Sequence, residues 1–429
     1  MIVYASVLTP DLVLLVKGPL DISTHGEASI LGKDISSRKI FLDNKKVWPI
    51  ETKSSCDILL SQDPQKGNEA GQFWTTGSRD AGTRIWDDVI YTIFYSRAVT
   101  PKSILVVGPT DSGKTTLSTY IVNHAIKEGL RPGVIDADIG QGDIAPPCAI
   151  GCGVVQGQIL DLTEVTSNFY GFVGSINPAG YEGLIARSVR LLLNKLTKRK
   201  NPYGVNLVVI NTDGYVAGKG LGGKIAIANK VQPDIIICLG ENASDFCLQI
   251  RSKIRLEKLP RLLNAKAPAS NNPILKLKTE RARRRLNRFQ RHITDFGKFG
   301  VTKIFRLRKI KFVYKGLMYY KAFVTADKHL LLLRKCKIKK LTHEYIINMF
   351  IGLGHASNIV GFGIICFLTN QRIAIQTKVE VADTIYLSDI GINMWAWKPY
   401  IIRNSKKAGY SRHRIHQTRA HNIDTQKRR

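Results

Sequence analysis

The chain has 429 residues, 44% of them hydrophobic, and a formal net charge of +31 from 64 Lys and Arg against 33 Asp and Glu. That length exceeds one ordinary core and sets an expectation of two or three domains, while no apolar run approaches the roughly 20 residues of a membrane-spanning helix, so no membrane partner is expected. The charge points to a polyanion, nucleic acid foremost, and seven scattered cysteines without a C-x-x-C pair support neither a disulfide framework nor a zinc ribbon.

Residues 1–97 carry short β-branched runs such as Leu12–Val16 and Ile40–Leu42, broken by Gly18-Pro19, Gly26 and Gly32, which predicts an antiparallel sandwich or barrel. The first residues lack a basic stretch ahead of their apolar positions, so the protein is expected to be intracellular, in the cytoplasm. Ser61–Arg84, rich in Gly, Ser, Gln and Thr, reads as a loop, and Ile85–Phe94 has helical periodicity. Cys148 and Cys152, the nearest cysteine pair, read as buried or loop thiols.

From 98 to 300, apolar runs at Ile104–Val107, Gly133–Ile135, Phe172–Ser175, Leu207–Ile210 and Ile235–Leu239 alternate with helical segments. The expectation is α/β: a central parallel sheet with crossover helices. The first run leads into Gly108-Pro109-Thr110-Asp111-Ser112-Gly113-Lys114-Thr115-Thr116, a P-loop in the strand–loop–helix setting it needs. Its backbone N–H groups would close around phosphate oxygens, Lys114 would meet the β and γ phosphates, and the Thr115 hydroxyl would complete a Mg²⁺ shell.

The second run ends in Asp136-Ala137-Asp138-Ile139-Gly140-Gln141. Two carboxylates two residues apart share a face of an extended strand, where a P-loop fold needs an acid for Mg²⁺ or for the incoming nucleophile. Gln141 would hydrogen-bond a phosphate or orient a hydroxyl. A further strand ends in Asn211-Thr212-Asp213-Gly214-Tyr215 and would line the cleft from the opposite side, with Tyr215 either a base-stacking face or a core tyrosine. Segment 251–315 holds 21 Lys and Arg against three acids, and within it Arg284 and Arg288 stand one helical turn apart, with Arg281, Arg285 and Arg291 nearby. Guanidinium groups in that setting suit a migrating phosphoryl group.

Residues 301–402 look β-rich again, a small C-terminal domain, and 403–429 form a basic tail with nine Lys and Arg and one acid.

With these pieces assembled, the chain resembles the polynucleotide 5′-hydroxyl kinases of the P-loop superfamily, which include the kinase subunit of the pre-mRNA cleavage factor and the pre-rRNA-processing kinases. The resemblance lies in 108–115, Asp-Ala-Asp-Ile-Gly-Gln-Gly at 136–142, Phe-Val-Gly-Ser-Ile-Asn-Pro at 172–178, Asn-Thr-Asp-Gly-Tyr-Val-Ala-Gly at 211–218 and Arg-x-x-x-Arg at 284–288. It implies ATP and Mg²⁺ held by Lys114 and Thr115, Asp138 as acceptor of the 5′-hydroxyl proton, and Arg284 and Arg288 as a lid over the triphosphate. It further implies a clasp at Ser175–Pro178 for the terminal nucleotide's phosphate, with Asn177 where the family commonly has threonine, and Tyr215 where it often has tryptophan. The substrate so implied is RNA with a 5′-hydroxyl end, or DNA, within an RNA-processing assembly of protein partners. A catalytically silent ATP-binding scaffold is the alternative. A GTPase is disfavoured because Asn229-Lys230-Val231-Gln232 lacks the guanine-reading aspartate, and a partitioning ATPase because Pro109-Thr110 replace its early P-loop lysine.

Overall fold

The computed structural model describes residues 2–402 apart from 44–45, 63–70, 78–81, 97–101, 199–202, 256, 258, 268–277, 294–300, 335–336, 356–357 and 394–397. The expected tail at 403–429 and the expected boundaries at 97 and 300 lie outside the described residues.

The N-terminal strands are β1 (Ile2–Leu8), β2 (Leu12–Lys17), β3 (Leu20–His25), β4 (Ser29–Ile30), β5 (Lys33–Asp34), β6 (Lys39–Leu42), β7 (Trp48–Glu51), β8 (Cys56–Ser61) and β9 (Gln72–Gly77). They form two sheets, ordered β1-β8-β3-β6 and β5-β4-β7-β2-β9. Period-two alternation sends Cys56, Ile58 and Leu60 of β8 into a shared core with Leu14, Val16, Leu20 and Ile50. The polar stretch expected to be a loop thus contains a strand: Gln72–Gly77 pairs with β2 along its length, and Phe73 packs against the core.

The central domain builds a seven-stranded sheet from β10 (Ser103–Val107), β11 (Pro132–Asp136), β12 (Ala149–Val154), β13 (Phe169–Phe172), β14 (Leu207–Asn211), β15 (Ile235–Leu239) and β16 (Arg261–Ala265), in the order β13-β12-β11-β14-β10-β15-β16. Every residue of β10, β11, β14 and β15 is buried, as strands covered on both faces must be. Helices α1 (Asp87–Phe94), α2 (Lys114–Lys127), α3 (Glu182–Thr197), α4 (Lys219–Val231), α5 (Ala243–Lys253) and α6 (Lys278–Ile293) accompany it. The expected parallel strand at Phe172–Ser175 is corrected. The strand there is β13, which ends at Phe172 and runs antiparallel to β12, itself antiparallel to β11, because no crossover helix separates these strands. The basic segment contributes an unexpected parallel strand, β16, on β15. Cys238 of β15 and Cys247 of α5 are joined by a disulfide where none was expected, because α5 folds back over its strand.

Beyond 301 come β17 (Thr302–Arg306), β18 (Lys311–Tyr314), β19 (Leu317–Tyr319), β20 (Lys321–Val324), β21 (Leu330–Arg334), β22 (Lys337–Leu341), α7 (His343–Ile346), β23 (Met349–His355), β24 (Asn358–Leu368), β25 (Arg372–Thr377), β26 (Thr384–Asn393) and β27 (Lys398–Ile401). Most join one sheet, β17-β25-β24-β23-β26-β18-β19 with β27 on β26, while β20-β21-β22 form a second.

Contacts on both sides hold the flanking domains on the P-loop domain. Asn123 of α2 donates to the carbonyls of Leu31 and Ile159 at 2.8 and 2.7 Å, seating the N-terminal sandwich on the helix that follows the P-loop. On the other side Phe172, Phe289 and Ile293 join Phe350, Phe362 and Ile364 in one apolar cluster. The C-terminal sheet therefore grips both β13 and α6. Helix α1, sequence-adjacent to the sandwich, packs Trp86 (just ahead of it), Val89, Ile90 and Ile93 into the central core instead.

Candidate active site

The P-loop leaves buried β10 and turns into α2 through Gly113, whose φ of +91° is left-handed. Lys114, 7% exposed, donates to the Pro109 carbonyl, and burial pulls its ammonium down to about 8 against the attraction of Asp138. A β-carbon on Gly214 would stand 2.5 Å from the Thr110 Cα. The glycine is what lets the Asn211–Tyr215 segment lie against the P-loop, where the Thr110 hydroxyl donates to the Gly214 carbonyl at 3.3 Å.

That segment does not face the P-loop from across the cleft, as the sequence suggested. Strand β14 lies between β10 and β11 in the sheet, so its last residue, Asn211, reaches both neighbours: Nδ2 contacts Thr115 Oγ1 at 3.4 Å and Asp136 Oδ1 at 3.1 Å. Asn211 Oδ1 is buried with no hydrogen-bond donor. Thr115, Asp136 and this orphaned oxygen make a set of hard oxygen donors that suits Mg²⁺. Among the described residues no three His, Cys, Asp or Glu side chains cluster as a ready-made metal cage.

The two acids have different surroundings. Asp136 ends β11 fully buried, and desolvation plus Asp143 and Asp138 raise its carboxyl to about 7. Asp138 has left the strand, so the shared-face expectation fails. Its Oδ1 accepts from the backbone of Gly140 and Gln141 at 3.0 and 2.7 Å, while among the described residues no donor reaches Oδ2. Burial and then Asp213 raise its carboxyl, and Lys114 draws it back. Lys114 and Asp138 thus sit in one compartment.

Helix α6 crosses this compartment. Its Phe289 and Ile293 are fully buried against the C-terminal sheet, and Arg281, Arg285 and Arg288, at i, i+4 and i+7, form the neighbouring stripe. Arg281 meets Asp111 at 2.6 Å, Arg288 pairs with Asp143 and contacts Gln141 Oε1 at 3.5 Å, and Arg285 is coupled electrostatically to Asp138, its Nε buried without an acceptor. Of the expected pair Arg284 and Arg288, Arg288 stands in the site, and Arg285, next to Arg284, is coupled electrostatically to Asp138. Gln141, expected to face a phosphate, is held by α6, its Nε2 donating to the Arg281 carbonyl at 3.3 Å.

On the far side of Asp213, a cleft is lined by Pro178, Glu182, Asp213, Tyr215 and Lys224. Tyr215 is 37% exposed, which settles it as a surface aromatic and not a core one, whereas Thr212 is corrected: 1% exposed, it donates to the Val106 carbonyl at 2.9 Å and cannot touch a substrate. Asn177 caps its own loop, Oδ1 accepting from Ala179 N at 3.0 Å. Asp213 and Lys224 form a buried pair at 2.6 Å that sequence reasoning passed over. The available signal was a lysine at a core-facing position of α4, one turn from Gly220 and Ala228. Asp143 and Lys46 were missed as well: the Lys46 ammonium bridges from the sandwich to Asp161 and, at 3.9 Å, to Asp143.

Residues 108–292 match the family described as the P-loop of the mRNA cleavage and polyadenylation factor CLP1. Over that segment the chain is similar to the CLP1 P-loop. Over 181 residues it is 35% identical to a polyribonucleotide 5′-hydroxyl kinase of Pyrococcus furiosus, covering 37% of this chain and 49% of the relative. A CLP1 homologue of Brugia malayi is 30% identical over 144 residues, 32% of this chain and 33% of its own. The chain thus matches about half or less of the length of these relatives. In architecture it is similar to Clp1p solved in complex with Pcf11p, with a TM-score of 0.63 at 11% identity over 90% of this chain and 97% of that one. Since the overlap takes in 90% of the chain, the likeness in fold extends beyond the matched segment. Among the described residues no helix is long and apolar enough to cross a membrane.

Proposed function

We propose that this protein is an ATP-dependent polynucleotide 5′-hydroxyl kinase that transfers the γ-phosphate of ATP to the 5′-OH end of RNA, or of DNA, in RNA processing or repair alongside protein partners. The observation that carries the reading is Asn211, which touches both Thr115 of the P-loop and Asp136 at the end of β11 and so brings the phosphate cradle and the acids after β11 into one compartment, under an arginine-striped helix whose Arg281 and Arg288 pair with Asp111 and Asp143. A triphosphate charge partner and a carboxylate with an uncommitted oxygen are the two groups that a hydroxyl-to-γ-phosphate transfer needs side by side.

The P-loop backbone from Gly108 to Thr116 cradles the triphosphate, and Lys114 exchanges the Pro109 carbonyl for phosphate oxygens. Asp138 accepts the 5′-hydroxyl proton as that oxygen bonds to the γ-phosphorus and the bond to the ADP oxygen breaks. Arg285 and Arg288 face the oxygens on which charge accumulates. Thr115, Asp136 and Asn211 would hold Mg²⁺, which neutralises charge between the β and γ phosphates when bound. The cleft of Pro178 and Tyr215 receives the terminal nucleotide, with Tyr215 against its base.

The test is transfer of labelled γ-phosphate from ATP to a 5′-hydroxyl oligoribonucleotide. Lys114→Ala is expected to abolish transfer. ATP binding without any transfer by the unaltered protein would instead establish the silent scaffold.

A further inference from the structure

The stretch Lys311–Leu341 contains nine Lys and Arg against a single acid, Asp327, and its strands β20–β22 form a small sheet whose two faces differ sharply. Leu330, Leu332 and Leu341 are buried on the inner face. Directly paired residues of neighbouring strands share a face, so the outer face carries two rows: Lys321, Leu333 and Ile338, then Phe323, Leu331 and Lys340. Phe323 is 52% and Ile338 66% exposed. One ring and aliphatic side chains laid between lysines, with no acid among them, offer a stacking face and phosphate partners together. A protein-docking face has no need of so one-sided a charge.

This sheet adjoins the clasp through a chain of contacts. The Lys339 ammonium lies 5.5 Å from the Tyr314 ring centre, the Tyr314 hydroxyl donates to Asp389 at 2.8 Å, and the Asp389 N–H donates to the Gly174 carbonyl at 2.7 Å, at the root of Ser175–Pro178. Between clasp and sheet stands Lys315, its side chain 51% exposed, over the rings of Tyr181 and Tyr314 and 3.2 Å from Asp389.

We propose that the single-stranded RNA leading away from the terminal nucleotide passes Lys315 and lies on the outer face of β20–β22, a second binding surface outside the phosphoryl-transfer pocket. It rests on the kinase reading for its polarity, but its test is a binding measurement that needs no turnover. The probe is a 5′-phosphorylated oligoribonucleotide of about 15 nucleotides, long enough to reach beyond one pocket, compared with a 5′-phosphorylated dinucleotide. Lys321→Glu combined with Lys340→Glu is expected to weaken the long probe at least about ten-fold and to lower its log–log salt slope by about 1.4, two phosphate contacts at about 0.7 each. ADP and dinucleotide binding should stay as they were. Phe323→Ala, which alters no charge, is expected to cost the long probe about five-fold or more. Undiminished binding of the long probe by the double variant overturns the proposal and leaves this face to a protein partner. Equal losses for the long probe and the dinucleotide overturn it as well, since the lysines would then act through the pocket. A chain that transfers no phosphate but shows the length-dependent loss defeats only the kinase reading.

Discussion

Arg281 of α6 stands 2.6 Å from Asp111 of the P-loop, Nη2 to Oδ2, across 170 residues of sequence. The pair closes the lid helix onto the phosphate cradle. It also places a carboxylate where an incoming triphosphate would meet repulsion.

Asp111 has a left-handed φ of +60°, which asparagine tolerates. Asp111→Asn is therefore expected to leave the loop folded, remove both the repulsion and the competitor for Arg281, and tighten ATP binding by about three- to five-fold, in line with about 1 kcal/mol for a partly exposed ion pair. Calorimetric titration with a non-hydrolysable analogue measures it. Weaker binding would make the Arg281 contact an essential strut of the loop.

Asp138 must be deprotonated to accept a proton, and burial with Asp213 holds its carboxyl above the usual carboxylate range. The activity of the unaltered protein should therefore rise with pH along a limb displaced upward from that range. Asp138→Asn should abolish that limb and reduce turnover by about 10²–10⁴ with ATP affinity retained. A loss confined to ATP affinity would reassign this residue to metal binding.

Gly214→Ala drives a methyl group to within 2.5 Å of the Thr110 backbone. Since a backbone neighbour cannot swing aside, the P-loop must shift. The expected outcome is a loss of ATP affinity of at least about ten-fold with the melting temperature lowered only slightly, the segment lying beyond the C-terminal end of β14. Normal ATP binding in this variant would show that the loop has slack.

His292 lies on α6 with its ring edge-on to Tyr170 and Phe362, and burial lowers its imidazole to about 3. In the unfolded chain it titrates near 6.5, so between those values the unfolded state binds the extra proton. Stability contributed by the neutral ring is present above about pH 6.5 and is lost as pH falls towards 3. Urea midpoints at neutral and mildly acidic pH should diverge less in His292→Gln than in the unaltered protein. Parallel midpoints would mean that the ring stays hydrated in the fold.

Much of the central domain was legible because its signals are local. A P-loop needs only a strand, a short glycine-bearing turn and a helix in succession, and Gly108–Thr115 satisfied that within one stretch. The sandwich and the C-terminal β domain were visible as types of structure, but β9 was hidden in a polar stretch whose alternating residues half-face solvent, β12 was not foreseen, and the strand near Phe172 was misjudged because strand direction depends on what connects the strands.

The arginines show the limit most clearly. Four of them lie within Arg281–Arg285, and helical spacing alone allows several faces. Which face meets Asp138 is set by Phe289 and Ile293, buried against β24 some 70 residues onward in the chain. Asn211, Asp143 and Lys46 became site residues in the same way, through the insertion of β14 between β10 and β11 and the seating of the sandwich on α2. The amino-acid sequence by itself determined the phosphate cradle and the acids after β11, because backbone conformation there follows from neighbouring residues. The tertiary structure decided which distant side chains complete the pocket, because the rotation of α6 and the order of strands are fixed by burial of apolar surface contributed by other domains.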